Sequence, residues 1–369
     1  MEIKTNHRQF ELLQILRAYS AFLVVYEHLF GSYIELILKT TNSYSDFISK
    51  YIFHIFAIKD NGGGLGVVQF FLLSGFVITM VAMRETRSEF MIKRFFRIFP
   101  LLFLSLMIIT ALYWALYYLN LTEYIDIHSQ SWPSLVSWNE FGLYSFFKNL
   151  FLINVNMNMV MWTLRIEIVF YIIIFLFLPF FKKSPMKFYS FVITLYIFGY
   201  MLSMLINNYF ETYSLLYNKI YNELGYIKFL FLGSIFFSWY DKKIKTSHYA
   251  IFSAMLLILL FDNSLLRYIV LAYFLLILSI FFNEKIYAPK SLVYLGNISY
   301  SIYLNHQTIC TILIGILVAK FGYSDNKFLI IFIVMLFLIL TISHLSYHFV
   351  ERPFQNFARK IIKRFNYVR

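Results

Sequence analysis

The sequence contains repeated apolar runs of about 20 residues, the length that an α-helix needs to cross a lipid bilayer. Only 14% of the residues are charged and the mean hydropathy is +0.68, whereas an ordinary soluble domain carries about 25% charged residues. The sequence therefore predicts an all-α polytopic membrane protein of about ten transmembrane helices. We place the spans near residues 10–30, 65–83, 98–119, 162–181, 187–206, 223–240, 247–261, 265–282, 298–319 and 327–350.

Lysine and arginine are distributed unevenly between the predicted loops. With the N-terminus in the cytoplasm, 21 of the 32 basic residues fall on the cytoplasmic side and 9 on the outer side. This asymmetry follows the positive-inside rule and places both termini in the cytoplasm. We expect one membrane-embedded domain over residues 1–369, with a short cytoplasmic N-terminus (1–9) and a basic cytoplasmic tail (351–369).

The net charge of +13 is explained by the membrane better than by nucleic acid. A basic tail beside a bilayer is attracted to anionic lipid, so we predict membrane lipid and no nucleic acid as a partner. The single cysteine, Cys310, excludes an internal disulfide framework and a cysteine-cluster metal site. His344 and His348 have a spacing that can hold a metal ion, but the sequence supplies no obvious further ligands, and we expect no metal.

The first apolar run carries charged and titratable residues in the stretch "LRAYSAFLVVYEHLF". It is too long and too polar for a cleavable signal peptide, because it contains Arg17, Glu27 and His28. An arginine near the middle of a span costs about 2.5–3.5 kcal/mol on insertion scales, so such residues usually face a protein interior or a wet cavity. Eleven positions bring an α-helix nearly back to the same face after a rise of about 16 Å. We predict that Arg17 and His28 line one solvent-reaching tunnel; a snorkelling arginine and an interfacial histidine are the alternative.

Arginines and other polar residues also mark three later segments. Arg94 and Arg97 are neighbours on one predicted helix face and form a fork suited to phosphate oxygens, although positive-inside anchoring explains them equally well. Glu167 begins an otherwise apolar span together with Arg165, where an acid could orient a histidine, bind an acceptor hydroxyl or pair with another helix. Tyr303 and His306 are one turn apart and could line the same cavity, or His306 could be a hydrogen-bonded core residue.

Six motifs follow one another along the chain: "LRAYSAFLVVYEH", "GVVQFFLLSGFVIT", "RFFRIFP", "WTLRIEIVFY", "LGNISYSIYLNH" and "SYHFVERPF". In this order they resemble the motifs of the acyltransferase type 3 family of membrane proteins, which O-acylate sugars of bacterial surface polysaccharides. Together they run through nearly the whole chain. Each motif is weak alone, but six collinear matches are specific.

The resemblance implies an O-acetyltransferase that uses acyl-CoA, commonly acetyl-CoA, as a cytoplasmic donor substrate and binds no permanent cofactor. The acceptor would be a hydroxyl of a surface polysaccharide such as lipopolysaccharide, or of a lipid-linked sugar, at the outer side of a bacterial inner membrane. His28 matches the family's likely catalytic histidine, and Arg94 and Arg97 match the arginine pair that plausibly grips the donor.

The residues and the resemblance together assign expected roles. His28 takes the proton of the acceptor hydroxyl, Glu167 assists, and Arg17 steadies the donor arm; Arg165, Tyr303 and His306 are expected to contact the acceptor. Direct transfer and a transient acyl-histidine both remain open. The competing classes are a transporter or flippase of a lipid-linked glycan and a non-catalytic assembly subunit, and the inverted repeats typical of many transporters are not evident in the sequence.

Overall fold

The computed structural model describes residues 10–54, 58, 60–123, 141–209, 225–258 and 263–367. Every regular element in these ranges is helical. The α-helices, numbered in chain order, are α1 (Glu11–Tyr26), α2 (Ser43–Ile48), α3 (Gly63–Ala82), α4 (Arg87–Tyr118), α5 (Leu143–Leu150), α6 (Trp162–Lys183), α7 (Pro185–Tyr209), α8 (Ile227–Tyr240), α9 (Thr246–Ile258), α10 (Asn263–Phe281), α11 (Lys290–Asn297), α12 (Ser299–Asn305), α13 (Gln307–Phe321), α14 (Asp325–Ser346) and α15 (Arg352–Tyr367).

The predicted all-α membrane class is confirmed, but the predicted count of ten spans is not supported. Each predicted apolar run overlaps an α-helix. Within the described ranges, five helical segments are long and apolar enough to cross a membrane, or six if the bent pair α12–α13 is counted as one span. Helices α8, α9 and α10 are apolar, but each has fewer than 18 apolar residues in a continuous run, less than a bilayer crossing usually needs. The five segments are Glu11–Leu38, Gly63–Ala82, Arg87–Tyr118, Met159–Lys183 and Asp325–Arg364.

The chain forms two compact units, each assembled from separate stretches of sequence. The first unit comprises Met1–Gln69, Phe95–Met161 and Arg267–Arg369, and the second comprises Phe70–Arg94 and Trp162–Leu266. A single domain over residues 1–369 stays a prediction. The predicted cytoplasmic N-terminus, residues 1–9, and the last two residues of the tail lie outside the described ranges.

In the first unit, α1 packs most extensively along α11 and also against α12. Gly296 on α11 makes this approach possible, because a side chain there would overlap the carbonyl oxygen of Gln14. Gly66 on α3 also packs against α1, because a Cβ atom there would lie 2.8 Å from the carbonyl oxygen of Ser20. The glycine of the "LGNISY" motif is therefore explained by backbone packing against the first helix.

In the second unit, α8 packs against α3 and α6, and most of its residues are buried. Gly75 faces the carbonyl oxygen of Leu230, and Gly233 faces that of Leu72, so small residues on both helices let the backbones approach. Polar side chains inside the unit bond to one another: the Tyr189 hydroxyl lies 2.6 Å from Ser238 Oγ and 2.9 Å from Ser234 Oγ. Hydrogen bonds within the unit thus compensate for burying these hydroxyls.

Candidate active site

The first helix changes its hydrogen-bonding pattern immediately before His28. Helix α1 ends at Tyr26, and the chain continues as a π-helical turn, Glu27–Gly31. Three further π-helical segments occur among the described residues, Tyr33–Leu38, Ser49–Phe53 and Tyr347–Glu351, so the turn does not by itself mark a functional site. Because a π-helical hydrogen bond spans one residue more than an α-helical one, the interval from Arg17 to His28 is not the uninterrupted α-helix that the shared-face argument assumed. A tunnel shared by these two residues stays a prediction.

His28 lies beside a second histidine from the far end of the chain. Its Nδ1 atom is 2.9 Å from Nε2 of His306, and the two rings are nearly parallel, at an angle of 13°. The His28 side chain is 20% exposed, whereas His306 is fully buried. Both histidines belong to the first unit. His28 is therefore the accessible member of the pair, and His306 is the buried member.

A break between two helices holds His306 in place. Helices α12 and α13 meet at His306 with a bend of 51°. The N–H at Nδ1 of His306 donates to the Tyr303 carbonyl at 2.7 Å. The Leu304 carbonyl accepts hydrogen bonds from Ser105 Oγ at 3.2 Å and from Asn158 Nδ2 at 2.7 Å. Side chains therefore satisfy backbone groups that the break exposes, as a polar interruption of an apolar helix requires.

Glu27 contacts the other ring nitrogen of His28, and sequence reasoning missed it as a site residue. Its Oε2 atom is 3.0 Å from His28 Nε2, and its Oε1 atom accepts a hydrogen bond from the Ser32 hydroxyl. The glutamate side chain is 16% exposed. An acidic residue next to an intramembrane histidine is the sequence signal that points to this pair.

The glycines at residues 62–64 pack closely around the site. Gly62 adopts φ +86°, a conformation that favours glycine. A methyl group at Gly63 would lie 2.6 Å from Cγ of Glu27, and one at Gly64 would lie 2.6 Å from the Tyr268 ring. The start of α3 therefore packs directly against the Glu27 side chain.

Arg17 and Arg97, two of the three arginines predicted to bind the donor, interact with the same buried carboxylate. Glu351 is 2% exposed and accepts hydrogen bonds from Ser301 Oγ at 2.9 Å and from Gln355 Nε2 at 3.1 Å. It also interacts electrostatically with Arg97 and, more weakly, with Arg17. All these residues belong to the first unit. Glu351 thus balances positive charge that would otherwise be costly to bury.

Arg94 belongs to the second unit, where its guanidinium lies near two aromatic rings. It is 9% exposed, and its guanidinium lies 5.4 Å from the centre of the Phe90 ring and 5.8 Å from that of Tyr171. Within the described ranges, its Nε atom has no hydrogen-bond partner. A buried guanidinium with an unsatisfied donor can bind an anion at little further desolvation cost.

Arg165 and Glu167 lie half-buried in the first turns of α6, also in the second unit. The Tyr171 hydroxyl, one turn further along α6, donates to Glu167 Oε1 at 2.6 Å. Tyr171 thus contacts both Glu167 and the Arg94 guanidinium. Whether Glu167 orients a histidine stays a prediction.

His344 and His348 share the hydroxyl of Tyr294, which lies 2.6 Å from His344 Nδ1 and 3.4 Å from His348 Nε2. Partial burial raises the pKa of Tyr294, so this hydroxyl stays protonated near neutral pH. Among the residues that the structure describes, no group of three or more His, Cys, Asp or Glu side chains could hold a metal ion.

His28 has a titratable neighbour at each ring nitrogen and is partly accessible. A group that acts as a general acid or base needs both features. The acyltransferase domain of the type 3 family provides a sequence model that matches residues 11–348. The chain therefore belongs to the acyltransferase type 3 family and is a membrane acyltransferase. Neither the curated proteins nor the solved structures that were compared with the chain contain a match.

Proposed function

We propose that the protein moves an acyl group, specifically acetyl, from cytoplasmic acetyl-CoA to a hydroxyl of a cell-surface or lipid-linked glycan. Family membership supports acyl transfer, and the position of His28 carries the assignment of the reacting group. Both ring nitrogens of His28 have a titratable neighbour within 3.0 Å, yet the side chain stays partly accessible. This is the environment that a proton acceptor for an attacking hydroxyl needs.

The donor would be held at the cytoplasmic side by arginines. Arg94 and Arg97 lie one turn apart on α4, and planar guanidinium groups can grip phosphate oxygens through two hydrogen bonds each. The α-helical stretch from Arg17 to Tyr26 alone rises about 14 Å, a length comparable with that of the pantetheine arm of CoA. The thioester can thus reach His28 while the nucleotide stays outside, with Arg17 beside the arm.

On the sequence patterns alone, we assign Glu167 to the catalytic step and Arg165 and Tyr303 to contacts with the acceptor glycan. His306 was expected to join them, but its two ring nitrogens bond to Tyr303 and His28, which supports a role through His28 instead. In the reaction, the hydroxyl oxygen bonds to the acyl carbon, the carbon–sulfur bond breaks, and the hydroxyl proton passes through His28 to the sulfur of CoA.

The proposed location is a bacterial inner membrane, with both termini in the cytoplasm. The positive-inside distribution of basic residues supports this orientation. An acceptor on the outer side and a donor in the cytoplasm then require the acyl group, but not CoA, to cross the bilayer. Lipopolysaccharide or another surface polysaccharide is the acceptor class that this arrangement favours.

The decisive experiment compares ester content of surface glycans, by mass spectrometry, in cells that express the wild type, His28→Ala or His54→Ala. His54 is an exposed histidine and serves as the matched control. We expect O-acetyl esters with the wild type and His54→Ala and none above background with His28→Ala. Undiminished acetylation in the His28 variant, at equal protein levels in the membrane, would remove the proposed base.

A second measurement separates transfer from transport. Purified protein in vesicles receives acetyl-CoA together with a glycan-bearing membrane fraction from cells that lack the gene. We expect thiol release from CoA to match ester formation one to one. Glycan movement without thiol release would instead establish a flippase.

A further inference from the structure

Three hydrogen bonds in a row connect a backbone carbonyl to a carboxylate through the two histidines. The Tyr303 carbonyl can only accept, so the proton of that bond lies on His306 Nδ1. The neutral His306 ring then accepts at Nε2, and the N–H at Nδ1 of His28 donates to it at 2.9 Å. His28 is left with Nε2 facing Glu27 Oε2 at 3.0 Å.

The number of protons needed for these bonds exceeds what two neutral imidazole rings carry. Three bonds require three protons, and two neutral rings supply only two. The third proton must therefore lie between His28 and Glu27, either on the ring or on the carboxyl. With this proton present, Glu27, His28 and His306 together have no net charge, which is the least costly state in a low-dielectric interior. Without it, a carboxylate would face a nitrogen lone pair.

Which ring nitrogen of His28 reacts depends on which of its two neighbours, Glu27 or His306, can move away. His306 is fully buried and held by the Tyr303 carbonyl at the bend between α12 and α13. Glu27 is partly exposed and has a flexible side chain. An incoming hydroxyl can thus displace Glu27 from Nε2, but it cannot displace His306 from Nδ1.

We propose that Glu27 and His306 are positioning residues for His28: His306 fixes the ring so that Nε2 reacts, and Glu27 shares a proton with Nε2 until the acceptor hydroxyl takes its place. This inference rests on the proposed function. As Glu27 leaves Nε2 it keeps the shared proton as a neutral carboxylic acid, so the lone pair of Nε2 can accept a proton. The hydroxyl proton moves to Nε2, the hydroxyl oxygen bonds to the acyl carbon, and the carbon–sulfur bond breaks. A proton of the Glu27–His28 pair then protonates the CoA sulfur, so the pair ends with the protons it began with.

The test measures kcat and KM of Glu27→Gln, with thiol release from acetyl-CoA as the readout and the glycan-bearing membrane fraction as acceptor. The amide has the size of the carboxyl group but donates permanently to Nε2 and cannot share a proton. We expect kcat to fall about 100-fold, the usual range for loss of acid–base assistance, with KM for acetyl-CoA unchanged within about twofold. Glu27→Asp restores part of kcat, and Glu35→Gln, an exposed glutamate beyond the π-helical turn, keeps wild-type values.

A double variant separates action through His28 from a structural contribution. If Glu27 acts through His28, adding Glu27→Gln to His28→Ala causes no further loss. An equal loss in both backgrounds, or a wild-type kcat in Glu27→Gln, overturns the inference and leaves His28 as the base. Wild-type activity of His28→Ala alone would instead overturn the proposed function, so the two failures are distinguishable.

Discussion

Nδ1 of His28 lies 2.9 Å from Nε2 of His306, although 278 positions separate the two residues in the chain. One histidine follows the end of α1, and the other occupies the bend between α12 and α13. The contact joins two motifs that the sequence presents as independent. It identifies the first unit as the part of the chain that holds the proposed base.

Replacement of His306 should distinguish its hydrogen-bonding role from simple packing. In His306→Ala, His28 Nδ1 loses its acceptor, and the ring can adopt the other tautomer or rotate. We expect kcat to fall about 100-fold or more, with KM for acetyl-CoA little changed. His306→Gln supplies an amide oxygen that can accept from Nδ1 and should retain more activity than the alanine variant. Equal rates for both variants would contradict the acceptor role.

Gly63→Ala should disturb Glu27 without unfolding the protein. The added methyl group would lie 2.6 Å from Glu27 Cγ, and a side chain can move where a backbone cannot. We expect a loss of kcat like that of Glu27→Gln, with a nearly unchanged midpoint of thermal unfolding in detergent. Gly142→Ala is the control, because a Cβ atom there meets nothing within 4 Å. A wild-type rate in Gly63→Ala would show that the position of Glu27 is not critical.

Gly75→Ala should destabilise the second unit. Its methyl group would overlap the Leu230 carbonyl oxygen, so α3 and α8 would have to separate. We expect the free energy of unfolding to fall by about 2 kcal/mol or more, measured by thermal or denaturant unfolding in detergent. Gly199→Ala, at an exposed helical position with nothing within 4 Å, should be neutral or stabilising by up to about 1 kcal/mol. Equal stability of the two variants would argue against this close helix contact.

Arg94→Ala should weaken donor binding. Removing a charge-assisted hydrogen bond to a phosphate costs about 1.5–3 kcal/mol, which corresponds to an affinity about 10- to 100-fold lower. Equilibrium binding of acetyl-CoA to the purified protein checks this value. Arg94→Lys should not restore it, because a lysine lacks the planar group that lies over Phe90 and Tyr171. Arg84→Ala, an exposed arginine nearby in the chain, is the control; a matching loss there would indicate nonspecific charge.

Glu351→Ala should destabilise the first unit through charge imbalance. The substitution removes the acceptor of the Ser301 hydroxyl and the carboxylate that interacts with Arg97 and Arg17. Loss of one partner from a buried charge group costs about 3 kcal/mol. Adding Arg97→Ala should recover part of this stability, because the excess positive charge is then smaller. Additive losses in the double variant would exclude coupling between the two residues.

Several site residues could be predicted from the sequence because they violate the rule for an apolar span. Arg17, His28 and His306 stand out for this reason alone. The bend at His306 also has a sequence signal, since Asn305, Gln307 and neighbouring Thr308 are polar as well. Glu27 precedes His28 directly in the sequence, but residues adjacent in a helix do not usually face each other, so their side-chain contact could not be predicted. The two side chains meet in the π-helical turn, and hydrophobic periodicity does not predict such a turn.

The sequence by itself determined the membrane class, the helical content and the acyltransferase family, because apolar run length and motif order are local properties of the chain. Only the tertiary structure decided which nitrogen of His28 faces Glu27 and which faces His306. It also decided that Glu351 interacts with Arg97 and Arg17. It also placed Arg94 in a different unit from the histidine pair. These relationships depend on contacts between segments far apart in the chain, and hydrophobic periodicity records which face of a helix is buried but not what that face meets.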